Sequence, residues 1–70
     1  MEKMNQTICY DFLKDRLTIN GTELHCGDVV QIHLPEGWKR TRVEYNDEDG
    51  RYLVGYRHMR PIGITAKLGN

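Results

Sequence analysis

The sequence predicts an all-β domain, either a small barrel or a rolled antiparallel sheet of five to six short strands. Short segments of alternating apolar and polar residues, separated by turn residues, follow one another along the chain. Asn20-Gly21 lies between two such segments and suits the positive φ angles of a type I′ hairpin turn. Gly27-Asp28 precedes another such segment and is typical of a corner that leads into a long strand. Glycine tolerates unusual backbone angles, and the aspartate carboxylate can accept hydrogen bonds from nearby backbone amides.

The first elements are a strand and a hairpin. Residues 7–13 alternate, with Ile8, Tyr10 and Phe12 on one face, and their side chains favour a strand over the alternative, a short helix. Residues 17–24 form the hairpin around Asn20-Gly21.

Longer strands follow. Residues 30–34 place alternate apolar side chains inward, and a turn at 35–37 leads into a strand over 38–45. An acidic loop at 46–50 precedes a strand over 51–56. Residues 58–61 are irregular because proline cannot donate to a sheet, and alternating residues from 62 to 68 close the sheet. The predicted core consists of Ile8, Tyr10, Leu17, Ile19, Leu24, Val30, Ile32, Val43, Leu53 or Val54, Ile62, Ile64 and Leu68.

Length and charge limit the organisation of the chain and its partners. Seventy residues make one domain, which we divide into a flexible N-terminus (1–6) and a single small β-barrel domain (7–70). The formal net charge is zero, which argues against a purely electrostatic partner. The net charge is −3 over residues 1–37 and +3 over 38–70, so the basic excess lies in the second half.

Several short motifs resemble those of a family of small uncharacterised domains from Gram-positive bacteria, their phages and their conjugative elements. They are Leu-His-Cys-Gly-Asp at 24–28, Trp38, Thr-Arg-Val-Glu at 41–44 and Tyr-Leu-Val-Gly at 52–55. The resemblance covers residues 10–68 and implies an SH3-like β-barrel in a mobile-element context. The family has no assigned activity. The acidic loop and the segment 58–61 lie outside the pattern, so features particular to this protein are expected there.

Basic and aromatic residues of the second half are the best candidates for partner binding. If the two strands over 38–45 and 51–57 pair as a hairpin, Arg40 and Arg42 lie near Arg51 and Arg57. Such a surface suits nucleic acid, through phosphate contacts and base stacking, and it equally suits an acidic protein surface. The simplest alternative is a solvated strand face with Trp38 in the core and Glu44 paired to an arginine.

The acidic loop is a second candidate. Its carboxylates do not form a calcium loop, because Tyr45 occupies the position where that pattern needs an oxygen ligand. A polar hairpin tip is the simplest interpretation, and mimicry of phosphates in the basic groove of a nucleic-acid enzyme is the functional one. The partner-binding candidates from the basic segment and the loop are Trp38, Arg40, Arg42, Asp47, Glu48, Asp49, Arg51, Tyr56, Arg57 and Arg60.

Metal binding and catalysis have little support in the sequence. The ligands Cys9, His25 and Cys26 lack the close paired spacing of zinc sites and remain weak candidates for a cross-strand site. The chain has no serine and no glycine-rich phosphate loop, and neighbouring side chains such as His25 and Cys26 diverge on a strand. We therefore expect no enzymatic activity and no cofactor. Reduced cysteines, a polar N-terminus and the lack of a long apolar run predict a cytoplasmic protein that does not enter membranes.

We therefore expect a non-catalytic protein-interaction module of a phage or mobile element that acts on a host protein complex. Its most concrete form is an inhibitor of a host defence nuclease, in the manner of anti-CRISPR proteins. The alternative is a nucleic-acid-binding accessory protein that uses the basic and aromatic strand face. A structural subunit that dimerises through an open sheet edge is a third class, and we expect a monomer or a weak dimer.

Overall fold

The computed structural model describes residues 6–69, which form seven β-strands and no helix. The prediction of an all-β domain is confirmed, with more strands than the predicted five to six because several span only two to four residues. Residues 1–5 of the predicted flexible N-terminus and residue 70 lie outside the described residues. The strands are β1 (Ile8–Asp11), β2 (Arg16–Ile19), β3 (Thr22–Glu23), β4 (Val29–Leu34), β5 (Gly37–Asn46), β6 (Gly50–Leu53) and β7 (Ala66–Leu68).

The strands form two antiparallel sheets. A small sheet has the order β1-β2-β3 and a large sheet the order β6-β5-β4-β7. A bridge between Thr7 and Thr65 joins them, and the Ile8 amide donates to the Ile64 carbonyl at 3.0 Å. In residues 6–69, β3 and β6 do not pair with each other, so the rolled sheet does not close into a barrel.

Local turn chemistry explains two of the corners. Asn20 and Gly21 have φ values of 51° and 81°, and Ile19 pairs with Thr22 around them, as a two-residue type I′ turn requires. At the second corner, the Asp28 carboxylate accepts a hydrogen bond of 2.8 Å from the His25 amide. Both turns predicted from the sequence are confirmed.

The first strand ends earlier than predicted. The Asp11 carboxylate accepts hydrogen bonds from the amides of Leu13 and Lys14, at 3.0 and 3.3 Å, and so stabilises a turn directly after β1. Phe12 is consequently exposed rather than inward-facing, although its ring contacts Tyr10 edge-on.

The core lies between the inner sides of the two sheets. Leu53, rather than Val54, is buried there, while Tyr10 and Ile64 are half-buried against it. The placement of Ile62 and Leu68 in the core was wrong, since they are 51% and 46% exposed. Ile62 lies in a turn, and Leu68 lies on an edge strand beside an open groove. The buried apolar residues are Ile8, Leu17, Ile19, Leu24, Val30, Ile32, Val43, Leu53 and Ala66.

Candidate functional site

The outer side of the large sheet brings together three of the ten predicted binding residues, Trp38, Arg40 and Arg42. Successive side chains of a strand point to opposite sides of its sheet. Since Thr41 and Val43 are buried in β5, the even-numbered residues of β5 point outward. Strand register then places their neighbours on the same side. We call this surface the outer face, and it comprises Val29, Gln31, His33, Trp38, Arg40, Arg42, Glu44, Tyr52 and Lys67.

Trp38 is the largest side chain of the outer face and is 43% exposed. Its ring centroid lies 4.8 Å from that of His33, the residue paired with it on β4. The Lys67 ammonium lies 4.4 Å from the Trp38 ring centroid, a cation–π distance. The alternative in which Trp38 packs in the core was wrong. The indole is instead held on the surface by two polar neighbours.

Cations outnumber carboxylates on the outer face. Arg42 pairs with Glu44, with Nε and Oε2 2.8 Å apart, as the simplest alternative predicted for Glu44. Within residues 6–69, Arg40 and Lys67 have no ion-pair partner. A shallow groove of 310 Å³ beside Arg40 and Arg42 is also lined by Val29, Thr41 and Val54. The outer face thus combines an exposed aromatic ring, a shallow groove lined by valine, threonine and arginine side chains, and excess positive charge.

Arg51 does not join Arg40 and Arg42. It pairs with Tyr45 across β5 and β6, and therefore lies on the opposite side of the large sheet. Its guanidinium lies 3.3 Å from the Asp15 carboxylate and 5.4 Å from the Tyr45 ring centroid. Arg51 therefore links the large sheet to the turn between β1 and β2.

Arg57 and the acidic loop form one connected unit. Arg57 lies 5.1 Å from the Tyr52 ring centroid and donates two hydrogen bonds to Asp49, at 3.0 and 2.5 Å. The Asp49 amide donates to the Asn46 side chain at 2.6 Å. The guanidinium of Arg57, followed by the Asn46 amide, lowers the pKa of Asp49. The Asp49 carboxylate is thus engaged within the domain, while Asp47 and Glu48 are exposed at the turn.

The remaining predicted residues have separate surroundings. Arg60 and His58 line a second cavity, of 400 Å³, together with Arg51 and Arg57. Tyr56 is half-buried against the core, and its amide donates to the Leu53 carbonyl at 2.9 Å. Tyr56 therefore contributes to packing.

The weak metal candidates do not gather into a site. Cys9 and Cys26 are both exposed and free of a disulfide. His25 lies 3.8 Å from Glu23 and 3.7 Å from Asp28, between two carboxylates. In the part of the chain that the structure describes, no three histidine, cysteine or acidic side chains form a group able to hold a metal ion.

Six members of the outer face were not among the predicted binding residues, namely Val29, Gln31, His33, Glu44, Tyr52 and Lys67. The alternation over 29–34 contains the signal for the three on β4, since their neighbours point inward. Lys67 reaches the face only because β7 pairs with β4, more than thirty residues earlier in the chain. No local pattern reveals that pairing.

The chain is thus a small all-β domain with a basic and aromatic outer sheet face. A protein-family model described as "Domain of unknown function (DUF5348)" matches residues 2–68, and the chain belongs to that family. Neither the curated proteins nor the solved structures gave a match. Among the described residues there is no helix of the length and apolarity needed to span a membrane.

Proposed function

We propose that the domain is a non-catalytic interaction module whose outer face binds an acidic surface of a partner protein. The exposed ring of Trp38, held between His33 and Lys67, is the observation that carries this proposal. Tryptophan and arginine are the most common energetic anchors of protein interfaces. Excess positive charge on the same face favours a complementary, negatively charged partner.

The charge pattern favours a protein over nucleic acid. Nucleic-acid binding rests on several cations that neutralise phosphates, and the domain has a formal net charge of zero. Arg42 and Arg57 already pair with Glu44 and Asp49, so fewer cations remain for phosphates. An accessory nucleic-acid-binding protein remains the second hypothesis, and the experiment below separates it from the first.

A narrower form of the proposal concerns origin and target. We propose an SH3-like domain of a phage or mobile element of Gram-positive bacteria that inhibits a host defence nuclease in the cytoplasm, without a cofactor. Small size, the lack of serine and two free cysteines support this form. Because Arg57 holds Asp49, mimicry of phosphates by the acidic loop would rest on Asp47 and Glu48.

Affinity capture from a host lysate, with and without added nuclease, tests the proposal. The tagged wild type is compared with Trp38→Ala, Arg40→Glu and the control Lys39→Glu. Lys39 is the neighbour of both residues on the other side of β5, and its reversal changes net charge by the same amount as that of Arg40. Circular dichroism first confirms that each variant folds.

We expect one protein partner that survives nuclease and is captured at least about tenfold less by the two outer-face variants. The Lys39→Glu variant should capture it about as well as the wild type. Recovery of nucleic acid, lost on nuclease treatment, would favour the second hypothesis. Equal capture by all four proteins would exclude the outer face as the binding surface.

A further inference from the structure

One edge of β5 is open beside the outer face. On one side, β4 pairs with β5 from Gly37 to Arg42. On the other side, β6 pairs with β5 only from Val43 to Asn46. Among residues 6–69, no strand pairs with that second edge between Gly37 and Thr41.

Backbone groups of Trp38 and Arg40 point to this open edge. Around the two-residue turn at 35–36, Leu34 and Gly37 form a hydrogen-bonded pair, so alternate residues of β5 bond to β4. Val43 is one of these alternate residues, and its amide donates a hydrogen bond of 2.9 Å to the Asp28 carbonyl just before β4, as expected. On the other edge, the Arg42 carbonyl accepts from the Val54 amide at 3.1 Å. Trp38 and Arg40 lie four and two residues before Arg42 on β5, so their amides and carbonyls point to the same edge as those of Arg42. At Trp38 and Arg40, no strand among residues 6–69 pairs with that edge.

The edge is open because the chain turns away from β5 directly after Leu53, where β6 ends. Gly55 has a φ of 85°, a conformation that glycine adopts readily, and the Tyr56 amide bonds back to the Leu53 carbonyl. This turn directs the chain away from the line that β6 would have continued. A strand-length site therefore lies in line with β6, next to the groove between Arg40 and Val54.

We propose that an extended acidic segment of the partner protein adds to this edge as a strand, antiparallel to β5 and in line with β6. The inference rests on the proposed function and names the chemistry of its partner. Strand addition satisfies the amides and carbonyls of Trp38 and Arg40. Alternate side chains of the segment then lie on the outer face, where a carboxylate pairs with Arg40, which has no ion-pair partner within residues 6–69.

Charge argues against a second copy of this chain as the occupant. Two β5 edges paired antiparallel about Arg40 would place the two Arg40 side chains directly opposite each other. Like charges in that position destabilise a strand pair. An acidic segment would instead place a carboxylate opposite Arg40, and opposite charges in that position stabilise a strand pair.

The test uses a capped synthetic peptide of about eight alternating valine and glutamate residues, a typical strand length. A matched peptide carries lysine in place of glutamate. Two further versions carry N-methyl groups on the odd or on the even residues, because alternate amides of a strand face opposite edges. Fluorescence of Trp38, the single tryptophan, reports binding, and amide hydrogen exchange measured by NMR reports strand pairing.

We expect the Trp38 and Arg40 amides to exchange faster than those of Lys39 and Thr41 in the free domain. The glutamate peptide should slow their exchange at least about tenfold, and Arg40→Glu should weaken its binding at least about tenfold. One N-methylated version should lose binding and the other should retain it. The lysine peptide should not bind.

Several results would overturn the inference. These are no binding up to about 1 mM peptide, equal binding of the lysine peptide, or equal binding of both N-methylated versions. Protection of the Trp38 and Arg40 amides that rises with domain concentration alone would assign the edge to a second copy. If the variants abolish partner capture while the partner leaves these amides unprotected, the proposed function stands and strand addition is wrong. If the peptide protects the amides but the variants capture the partner normally, strand addition stands and the proposed function is wrong.

Discussion

Replacement of Leu53 by alanine should remove much of the stability of the domain, whereas the same change at Val54 should remove little. Leu53 is fully buried at the end of β6, where it pairs with the buried Val43. Val54 is half-buried and borders the groove on the outer face. The comparison of these two variants tests the register between β5 and β6, which places Arg42 and Tyr52 on the outer face.

The expected magnitudes differ severalfold. Loss of three buried carbons from Leu53 costs about 2.4 kcal/mol at about 0.8 kcal/mol per carbon, and the cavity raises this to about 3–5 kcal/mol. A domain of this length has about 3.5–10 kcal/mol of stability in total. Val54→Ala removes two half-exposed carbons and should cost less than about 1 kcal/mol.

Urea denaturation followed by circular dichroism measures both variants. With a slope of about 1 kcal/mol per molar urea, Leu53→Ala should lower the midpoint by about 3–5 M and Val54→Ala by less than about 1 M. Leu53→Met, which should cost below about 1.5 kcal/mol, provides a measurable variant if the alanine variant does not fold. A larger loss for Val54→Ala than for Leu53→Ala would refute the register. A slip of one residue would move every side chain of β6 to the other side of the sheet.

Two further predictions concern a close approach and an ion pair. Gly69→Ala should cost about 1–3 kcal/mol, read as a lower melting temperature, because an added Cβ would lie 2.5 Å from the Val29 carbonyl oxygen; unchanged melting would contradict the close approach. Since Arg57 lowers the pKa of Asp49, the carboxylate stabilises the fold above its unfolded pKa of about 3.9, and this stability is lost as the pH falls through the lower folded pKa. Below about pH 4 the melting temperature should therefore fall more steeply for the wild type than for Asp49→Asn, and parallel pH profiles would show that the pair is not formed in solution.

Local signals in the sequence predicted the elements that local chemistry determines. The Asn20-Gly21 turn and the corner at Asp28 depend on residues within a few positions, and both have the expected geometry. Alternation failed where tertiary context decides burial. Leu68 pairs with the buried Val30 and shares its side of the sheet, but it lies on an edge strand that leaves it half-exposed. Periodicity predicts which side of the sheet a side chain lies on. Whether that side is buried depends on packing against strands that are distant in sequence.

The same limit applies to the candidate site. Composition indicated a basic and aromatic second half, and the surface position of Arg40 and Arg42 follows from alternation in β5. The separation of Arg51 from them depends on its pairing with Tyr45, which the loop length alone does not determine. Placement of Lys67 above Trp38 depends on the pairing of β7 with β4, the kind of non-local contact that a single sequence does not reveal.

The unequal lengths of β5 and β6 connect the fold to the proposed function. If β6 continued along β5 past Leu53, it would cover the edge at Trp38 and Arg40. The turn at Gly55 prevents this, and backbone groups beside an exposed tryptophan are left without a partner among residues 6–69. Exposed edges promote aggregation unless charge or cover protects them, and Arg40 supplies charge at this one. Like charges would disfavour pairing of this edge with a second copy about Arg40, whereas an opposite charge on a partner strand would favour it. The same arginine would therefore select an acidic segment.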